Sequence, residues 1–186
     1  VDPAALQDVL DARGAAAVAG DGATFLRTVS SRSSVDLDQQ RVLAGNLAEV
    51  GFSRWSYALG EPVADDDPIA QRLQRRLGGQ AEIRRVDLAY RIGGYDVRTV
   101  ESERMVAFVQ DDGAWRVGAD IDTGAFRSIW DVAPVTASRT PDALVLSAST
   151  TIDGAALSRV ADAAVDSVSG FWGRDWDRKV VVVVPA

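Results

Sequence analysis

The chain has 186 residues and a formal net charge of −7, with 20 lysine and arginine residues against 27 acidic ones. Apolar residues make up 47% and charged residues 25%, which is typical of a folded globular protein and argues against extended disorder. An acidic chain without a stripe of lysine and arginine repels phosphate backbones, so we expect no nucleic-acid partner.

Histidine and cysteine are both absent from the sequence. Without cysteine there is no disulfide or thiol chemistry, and without histidine there is no Ser-His-Asp triad and almost no route to a zinc site. We therefore expect no catalytic residue, no metal and no cofactor here. The chain begins with Val1 instead of methionine and has no apolar run of transmembrane length, so we expect any targeting segment to be absent from it.

The first fifty residues carry a helical pattern. Asp2 and Pro3 predict a helix start, because aspartate caps a helix and proline fits its first turn. The glycines at Gly20 and Gly22 predict the end of that helix, and a second short helix is expected from about Ala23 to Val29. A third helix is predicted from apolar residues at helical spacing: Leu43, Leu47 and Val50.

From about Ser53 the apolar period changes to two, which predicts antiparallel strands joined by tight turns. We expect residues 53 to 122 to form one strongly bent sheet, with the helices of residues 3 to 50 on its concave face. A short helix carrying Ile69, Leu73 and Leu77 interrupts the strands. Residues predicted to share inward faces are Trp55, Tyr57 and Leu59, then Val86, Leu88, Tyr90 and Ile92, then Trp115, Val117, Ala119 and Ile121.

After Pro134 the pattern becomes strand, helix, strand, which predicts a βαβ unit with parallel strands. We expect Val180 to Val184 to pair with Leu144 to Ser147, and a helix capped by Asp153 to cover one face. The helix residues predicted to make that contact are Leu157, Val160, Ala164 and Val168. The other face is expected to dock on the first domain or on a second copy, since two parallel strands cannot bury both faces alone. The predicted fold class is α+β.

Five segments carry a family resemblance: "LDARGAAAVAGDGATFLRTV", "QQRVLAGNLAEVGFSRWSYAL", "VDLAYRIGGYD", "ERMVAFVQDDGAWRV" and "IWDVAPV". Together they resemble the NTF2-like (cystatin-like cone) domain of uncharacterised actinobacterial extracytoplasmic proteins. The resemblance spans about residues 3 to 138, so we predict a cone domain over 1–138 and a βαβ unit over 139–186.

The C-terminal segment "ALVLSAS…FWGRDWDRKVVVVVPA" resembles the opening of the peptidase MA-like, gluzincin-type domain that often follows such cones. That family holds zinc with an H-E-x-x-H helix. Because this chain has no histidine, no zinc ligand or catalytic residue is carried over, and any peptidase domain is expected to lie beyond Ala186.

The resemblance implies an extracytoplasmic protein, secreted or anchored to the membrane through a segment absent here. Its cone would then be a non-catalytic accessory or binding domain with a protein partner. The alternative is a stand-alone cone, free or as a homodimer, that binds a small apolar ligand or acts as an isomerase-type enzyme. An acid buried beside Tyr57 or Tyr90 would favour the alternative, since such enzymes use a carboxylate base. The inward faces predicted above carry no acid.

Five aromatic residues are candidates for lining a pocket in the cone, with core packing as the other interpretation: Trp55, Tyr57, Tyr90, Phe108 and Trp115. Asp120-Ile121-Asp122 begins like a calcium loop, but Gly124 stands where the third oxygen ligand is required, so a turn at the end of a strand is preferred. Glu101 and Glu103 share one strand face, which we expect to be exposed.

Overall fold

The computed structural model of the chain describes residues 1–31, 34–123, 128–173 and 175–186, with the side chains of residues 34 to 36 excepted. The fold class is α+β, as predicted. The elements, in chain order, are α1 (Pro3–Ala19), α2 (Gly22–Arg27), α3 (Ser34–Val50), β1 (Phe52–Pro62), α4 (Pro68–Arg76), β2 (Glu82–Ile92), β3 (Val100–Asp111), β4 (Ala114–Asp122), α5 (Ile129–Val132), β5 (Thr136–Arg139), β6 (Ala143–Ser147), α6 (Gly154–Trp172) and β7 (Val180–Val184).

Helix starts follow from local side-chain chemistry. The Asp2 carboxylate accepts a hydrogen bond from the Ala4 amide at 3.0 Å, and Asp153 accepts one from the Ala156 amide at the same distance. Each bond satisfies an amide that has no partner within the helix. Gly20 ends α1 with a φ of 65°, a left-handed conformation that glycine adopts without steric cost.

The first four strands form one curved antiparallel sheet in the order β1-β2-β3-β4, with α1 to α3 packed on its inner face. Helix residues Leu6, Leu10, Leu43 and Leu47 are buried in the main core, as predicted. Helix α4 covers part of the opposite face, where Leu73 packs in a second apolar cluster with residues of β2, β3 and β4. Among the described residues no helix is long and apolar enough to cross a membrane.

The outer edge of β1 is covered by a side chain of α1. The Gln7 amide nitrogen donates to the Tyr57 carbonyl at 3.0 Å, and the Gln7 amide oxygen accepts from the Leu59 amide at 2.9 Å. A single glutamine thereby replaces one residue of a neighbouring strand, which protects an edge that could otherwise pair with another chain.

The predicted inward face of β4 is wrong beyond Val117. A β-bulge lies here, because Ala107 pairs with Ala119 while the next residue, Phe108, pairs with Val117. The extra residue reverses the alternation of side chains. Ala119 and Ile121 therefore pack in the second cluster on the outer face, and the acid between them turns inward.

The C-terminal strands form a second sheet in the order β5-β6-β7, with β6 and β7 parallel. Leu144 pairs with Val181 and Ser147 with Val184, which confirms the predicted strand pairing. Leu144 and Leu146 belong to the main core and Val181 packs against it. One face of this sheet therefore packs against the main core.

The predicted contact face of α6 is wrong for three of its four residues, while Leu157 is half-buried. Val160, Ala164 and Val168 are exposed, whereas Ser158 and Val165 are buried. A polar contact accompanies this rotation: the Asp162 carboxylate accepts a hydrogen bond from the Asp142 amide at 3.0 Å, on the side of the helix that faces the sheet. Small residues on that side allow close approach, since a Cβ on Gly154 would lie 2.8 Å from the Ser138 hydroxyl.

Candidate functional site

Three of the five predicted pocket residues lie together on the inner face of the sheet. The Trp55 ring centroid is 6.2 Å from that of Tyr57 and 6.0 Å from that of Tyr90. Phe52 and Trp130, which were not predicted, complete the group: the Phe52 ring lies 4.5 Å from Trp55 and 5.5 Å from Trp130, both edge to face. These contacts are the geometry that aromatic rings prefer in a packed core.

The other two predicted residues lie apart from that group. Phe108 is fully buried in the main core. Trp115 is half-buried at the edge of the core and borders a separate cleft of about 180 Å³ with Leu77 and Val109. A ligand pocket lined by all five aromatic residues therefore stays a prediction.

The most distinctive feature of the interior is a buried charge cluster, formed by Arg13, Arg104, Asp120 and Asp131. Asp120 lies at its centre, with its Oδ2 atom 3.1 Å from Nη2 of Arg13 and its Oδ1 atom 2.5 Å from Nε of Arg104. All three side chains are at most 3% exposed. Each carboxylate oxygen is thus held by a different buried guanidinium.

Arg13 also bonds to three neutral side chains. Its Nε donates to the Tyr57 hydroxyl at 3.1 Å and its Nη1 to the Thr28 hydroxyl at 3.4 Å, while Nη2 donates to the Gln40 side-chain oxygen. The Arg13 guanidinium carbon lies 3.8 Å from the centre of the Phe25 ring, a cation–π geometry. These contacts offset the high cost of removing a guanidinium from water.

Arg104 links Asp120 to two further acids. Its Nη1 atom lies 3.2 Å from Oδ2 of Asp131 and 3.8 Å from Oδ2 of Asp122, whose side chain is 6% exposed. One guanidinium thus contacts side chains of both β4 and α5.

The pKa values of the two fully buried acids shift in opposite directions. Burial alone would raise the pKa of the Asp120 carboxyl, but the charges of Arg104 and Arg13 outweigh it and hold that pKa below its ordinary value. Burial raises the pKa of the Asp131 carboxyl, against the opposing charge of Arg104 and with a further rise caused by Asp120. Asp131 is therefore the member of this pair better able to carry a proton.

Asp131 is also the member of the cluster that borders an open groove. The groove has a volume of about 330 Å³ and lies between α3 and α5, lined by Asp38, Gln39, Val42, Asp131 and Val132. Trp130, the neighbour of Asp131, places its ring 5.5 Å from that of Tyr90. Burial raises the pKa of the Tyr90 hydroxyl, and the charge of Asp131 adds to that rise.

Sequence reasoning missed this cluster for two reasons. The bulge on β4 turns Asp120 inward, and a bulge has only a weak sequence signal, here the glycine at Gly118. A clearer signal was available for Arg13, which lies three residues after Leu10 and seven after Leu6, on the buried face of α1. A charged residue at such a position indicates a buried partner.

The remaining candidates are ordinary surface or strand features. Asp120 and Asp122 lie within β4 and face Arg104, while Gly124 lies outside the described residues. Within the described part of the chain, no group of three or more acidic, histidine or cysteine residues is arranged to hold a metal ion. Glu101 and Glu103 are exposed as expected, and Glu103 pairs with Arg85 at 2.7 Å.

Comparison with known proteins identifies no relative: no family model, no curated protein and no solved structure matches this chain significantly. The function is therefore inferred from the residues and their geometry.

Proposed function

We propose that this chain is a non-catalytic accessory or binding region of an extracytoplasmic protein, an NTF2-like cone followed by the opening βαβ unit of a peptidase MA-like domain. The observation that carries the proposal concerns Asp120. Both of its carboxylate oxygens are already bound, each by a different buried guanidinium, and neither is available to a substrate. The family and the location rest on the sequence resemblance described above.

The electrostatics of Asp120 support a structural role over a catalytic one. A general base works best when its pKa lies near the operating pH, so that it can take and release a proton. The charges of Arg104 and Arg13 outweigh burial and hold the pKa of Asp120 below the ordinary value of a carboxyl, further from neutral pH. Asp120 therefore stays ionised and serves as the counter-ion of two arginines.

The number of helices and strands that contribute to the charge cluster supports the same structural role. Arg13 comes from α1, Gln40 from α3, Arg104 from β3, Asp120 from β4 and Asp131 from α5. One hydrogen-bonded network thus fixes the relative positions of three helices and two strands. A rigid core of this kind suits a domain that positions a protein partner on its surface.

The indole N–H of Trp55 offers a direct test of whether the interior admits a ligand. Among the described residues this buried group has no hydrogen-bond partner, and it lies next to Tyr57 and Tyr90. Its ¹H–¹⁵N resonance should respond to any molecule that enters the cone. The Trp172 indole, on a side chain that is 68% exposed, supplies the control for non-specific surface binding.

The chain labelled with ¹⁵N is titrated with small apolar ligands such as 1-anilinonaphthalene-8-sulfonate and a steroid. We expect the Trp55 resonance to stay unchanged at ligand concentrations that shift Trp172. A saturable shift of Trp55 alone would overturn the accessory role in favour of a ligand-binding cone.

Sequencing the gene beyond the codon for Ala186 gives the second test, and we expect an H-E-x-x-H helix there.

One observation favours the second candidate function, an isomerase-type or ligand-binding cone. A buried acid beside Tyr57 or Tyr90 would favour it, and two acids meet that condition. Asp120 shares Arg13 with the Tyr57 hydroxyl, and Asp131 lies at the edge of a groove, where its charge acts on Tyr90. Asp131 would then act as the proton carrier. This candidate predicts that Asp131→Asn abolishes turnover of a ketone substrate while Asp38→Asn, at the same groove, leaves it unchanged; turnover that survives Asp131→Asn would exclude the role.

A further inference from the structure

Helix α6 exposes an unusual amount of apolar surface. Of the large apolar side chains that the described residues leave exposed, four lie on this helix: Val160, Val168, Phe171 and Trp172. Phe171 is 87% exposed and Trp172 is 68% exposed. Isolated apolar residues on a surface need no explanation, but several large exposed apolar side chains on one helix indicate an interaction site.

The row has an internal symmetry. We define the α6 stripe as Leu157, Val160, Ala164, Val168 and Phe171, whose steps of three, four, four and three residues place them along one side of the helix. The steps read the same in both directions from Ala164. If a second copy of the helix packs antiparallel, with the two-fold axis at Ala164, Val160 meets Val168 of the second copy. Leu157 likewise meets Phe171 of the second copy.

We propose that the α6 stripe is the contact between two copies of this chain, paired through an antiparallel α6–α6 helix interface. An interface about a two-fold axis must be self-complementary, and the symmetric spacing of the stripe supplies that property. Ala164 lies at the centre of the stripe, where a small side chain lets two helix axes approach closely. The pairing goes beyond the proposed accessory function, and its test, the oligomeric state, is separate from the ligand titration that tests that function.

The available area sets the strength of the contact. An aromatic side chain buries roughly 150–250 Å², so Phe171 and the smaller aliphatic residues of the stripe would remove less than about 1,000 Å² from water over two copies. Specific interfaces begin at about 1,000 Å² in total. The dimer is therefore weak and dissociates on dilution.

The charges of α6 permit the approach of a second copy. Asp162 accepts from the Asp142 amide, and Asp166 pairs with Arg178 at 3.3 Å, so both acids are engaged away from the stripe. Neither acid therefore has to be buried when a second copy packs on the stripe. Two chains of charge −7 still repel each other at long range, and added salt screens that repulsion. Dimerisation should therefore strengthen with salt concentration.

Two neighbouring alanines provide a matched test, since Ala163 and Ala164 are both exposed on α6. Their side chains point about 100° apart around the helix. We expect sedimentation equilibrium to show a reversible dimer of the parent chain, and Ala164→Glu to raise its dissociation constant by about tenfold or more. Ala163→Glu should change it by less than about threefold. Equal effects of the two variants, or a parent chain that is monomeric at every concentration, would overturn the proposal.

Cysteine cross-linking gives a second readout, because the parent chain contains no cysteine. Under mild oxidation Ala164→Cys should form a disulfide-linked dimer about tenfold faster than Ala163→Cys, since the two-fold axis brings the two copies of residue 164 together. Equal rates would contradict the proposed axis. Binding of the monomeric chain to neutral phosphatidylcholine vesicles through Phe171 and Trp172, without dimerisation, would replace the second copy with a lipid surface and overturn the proposal.

Discussion

Nη1 of Arg104 lies 3.2 Å from Oδ2 of Asp131, and this contact joins strand β3 to helix α5 in the interior of the protein. Both side chains are at most 3% exposed. Arg104 also holds Asp120, so one guanidinium is shared by acids whose pKa values move in opposite directions. The pair therefore links the stability of the fold to pH.

The first prediction concerns Asp131. Its raised pKa means that the folded state binds the proton more tightly than the unfolded chain, so the free energy of unfolding falls as pH rises from about 4 through the folded pKa. Asp131→Asn removes this loss. We expect the variant to keep, near neutral pH, the part of the free energy of unfolding that the parent chain loses.

Urea unfolding at a series of pH values measures the effect. Asp38→Asn is the control, because this exposed acid borders the same groove and pairs only with Arg41 in the described contacts. The interpretation of Asp131 fails if Asp131→Asn retains the pH dependence of the parent chain in full.

The second prediction concerns the bulge that turns Asp120 inward. A Cβ on Gly118 would lie 3.2 Å from side-chain carbons of Leu77 and Val109, which is closer than ordinary packing. We expect Gly118→Val to lower the free energy of unfolding by about 1–3 kcal/mol through overpacking. Gly45→Ala, at an exposed helix position with no atom within 4 Å of the added Cβ, should instead be neutral or stabilising. Chemical denaturation in which both variants behave alike would contradict the packing at Gly118.

The third prediction compares two valines on one face of β7. Val181 packs against the main core, whereas Val183, two residues further along, is 51% exposed. We expect Val181→Asp to lower the thermal midpoint strongly, because it places an unpaired carboxylate against apolar surface. Val183→Asp should cost less than about 1 kcal/mol. If the two midpoints coincide with that of the parent chain, β7 does not pack against the main core.

Local sequence signals predicted the helix starts and the alternating faces of β1 and β2, because each depends on neighbouring residues. Asp2 and Asp153 cap their helices as expected, and Val86 and Leu88 are buried. The errors occurred where the outcome depends on tertiary contact. Gly118 adds one residue to β4, and the alternation beyond it reverses.

Helix α6 illustrates a second limit of sequence reasoning. Both sides of this helix carry apolar residues, and the sequence prediction assigned the side with Leu157, Val160, Ala164 and Val168 to the sheet. The structure buries the smaller side instead, with Ser158 and Val165, while Asp162 bonds to the Asp142 amide. Hydrophobicity alone cannot choose between two such sides, since the choice depends on how closely the sheet can approach.

The role of the charge cluster is the central claim, and its most direct test is the coupling free energy between Arg104 and Asp120. Urea unfolding of the parent chain, Arg104→Met, Asp120→Asn and the double variant completes the cycle. If Asp120 serves the fold as a counter-ion, each single variant should lose about 3–5 kcal/mol, because a buried charge is left without its partner. The double variant should lose less than the sum of the two by about 2 kcal/mol or more. Single variants as stable as the parent chain, or a gain in stability for Asp120→Asn of the kind that follows removal of a strained catalytic acid, would contradict the structural role.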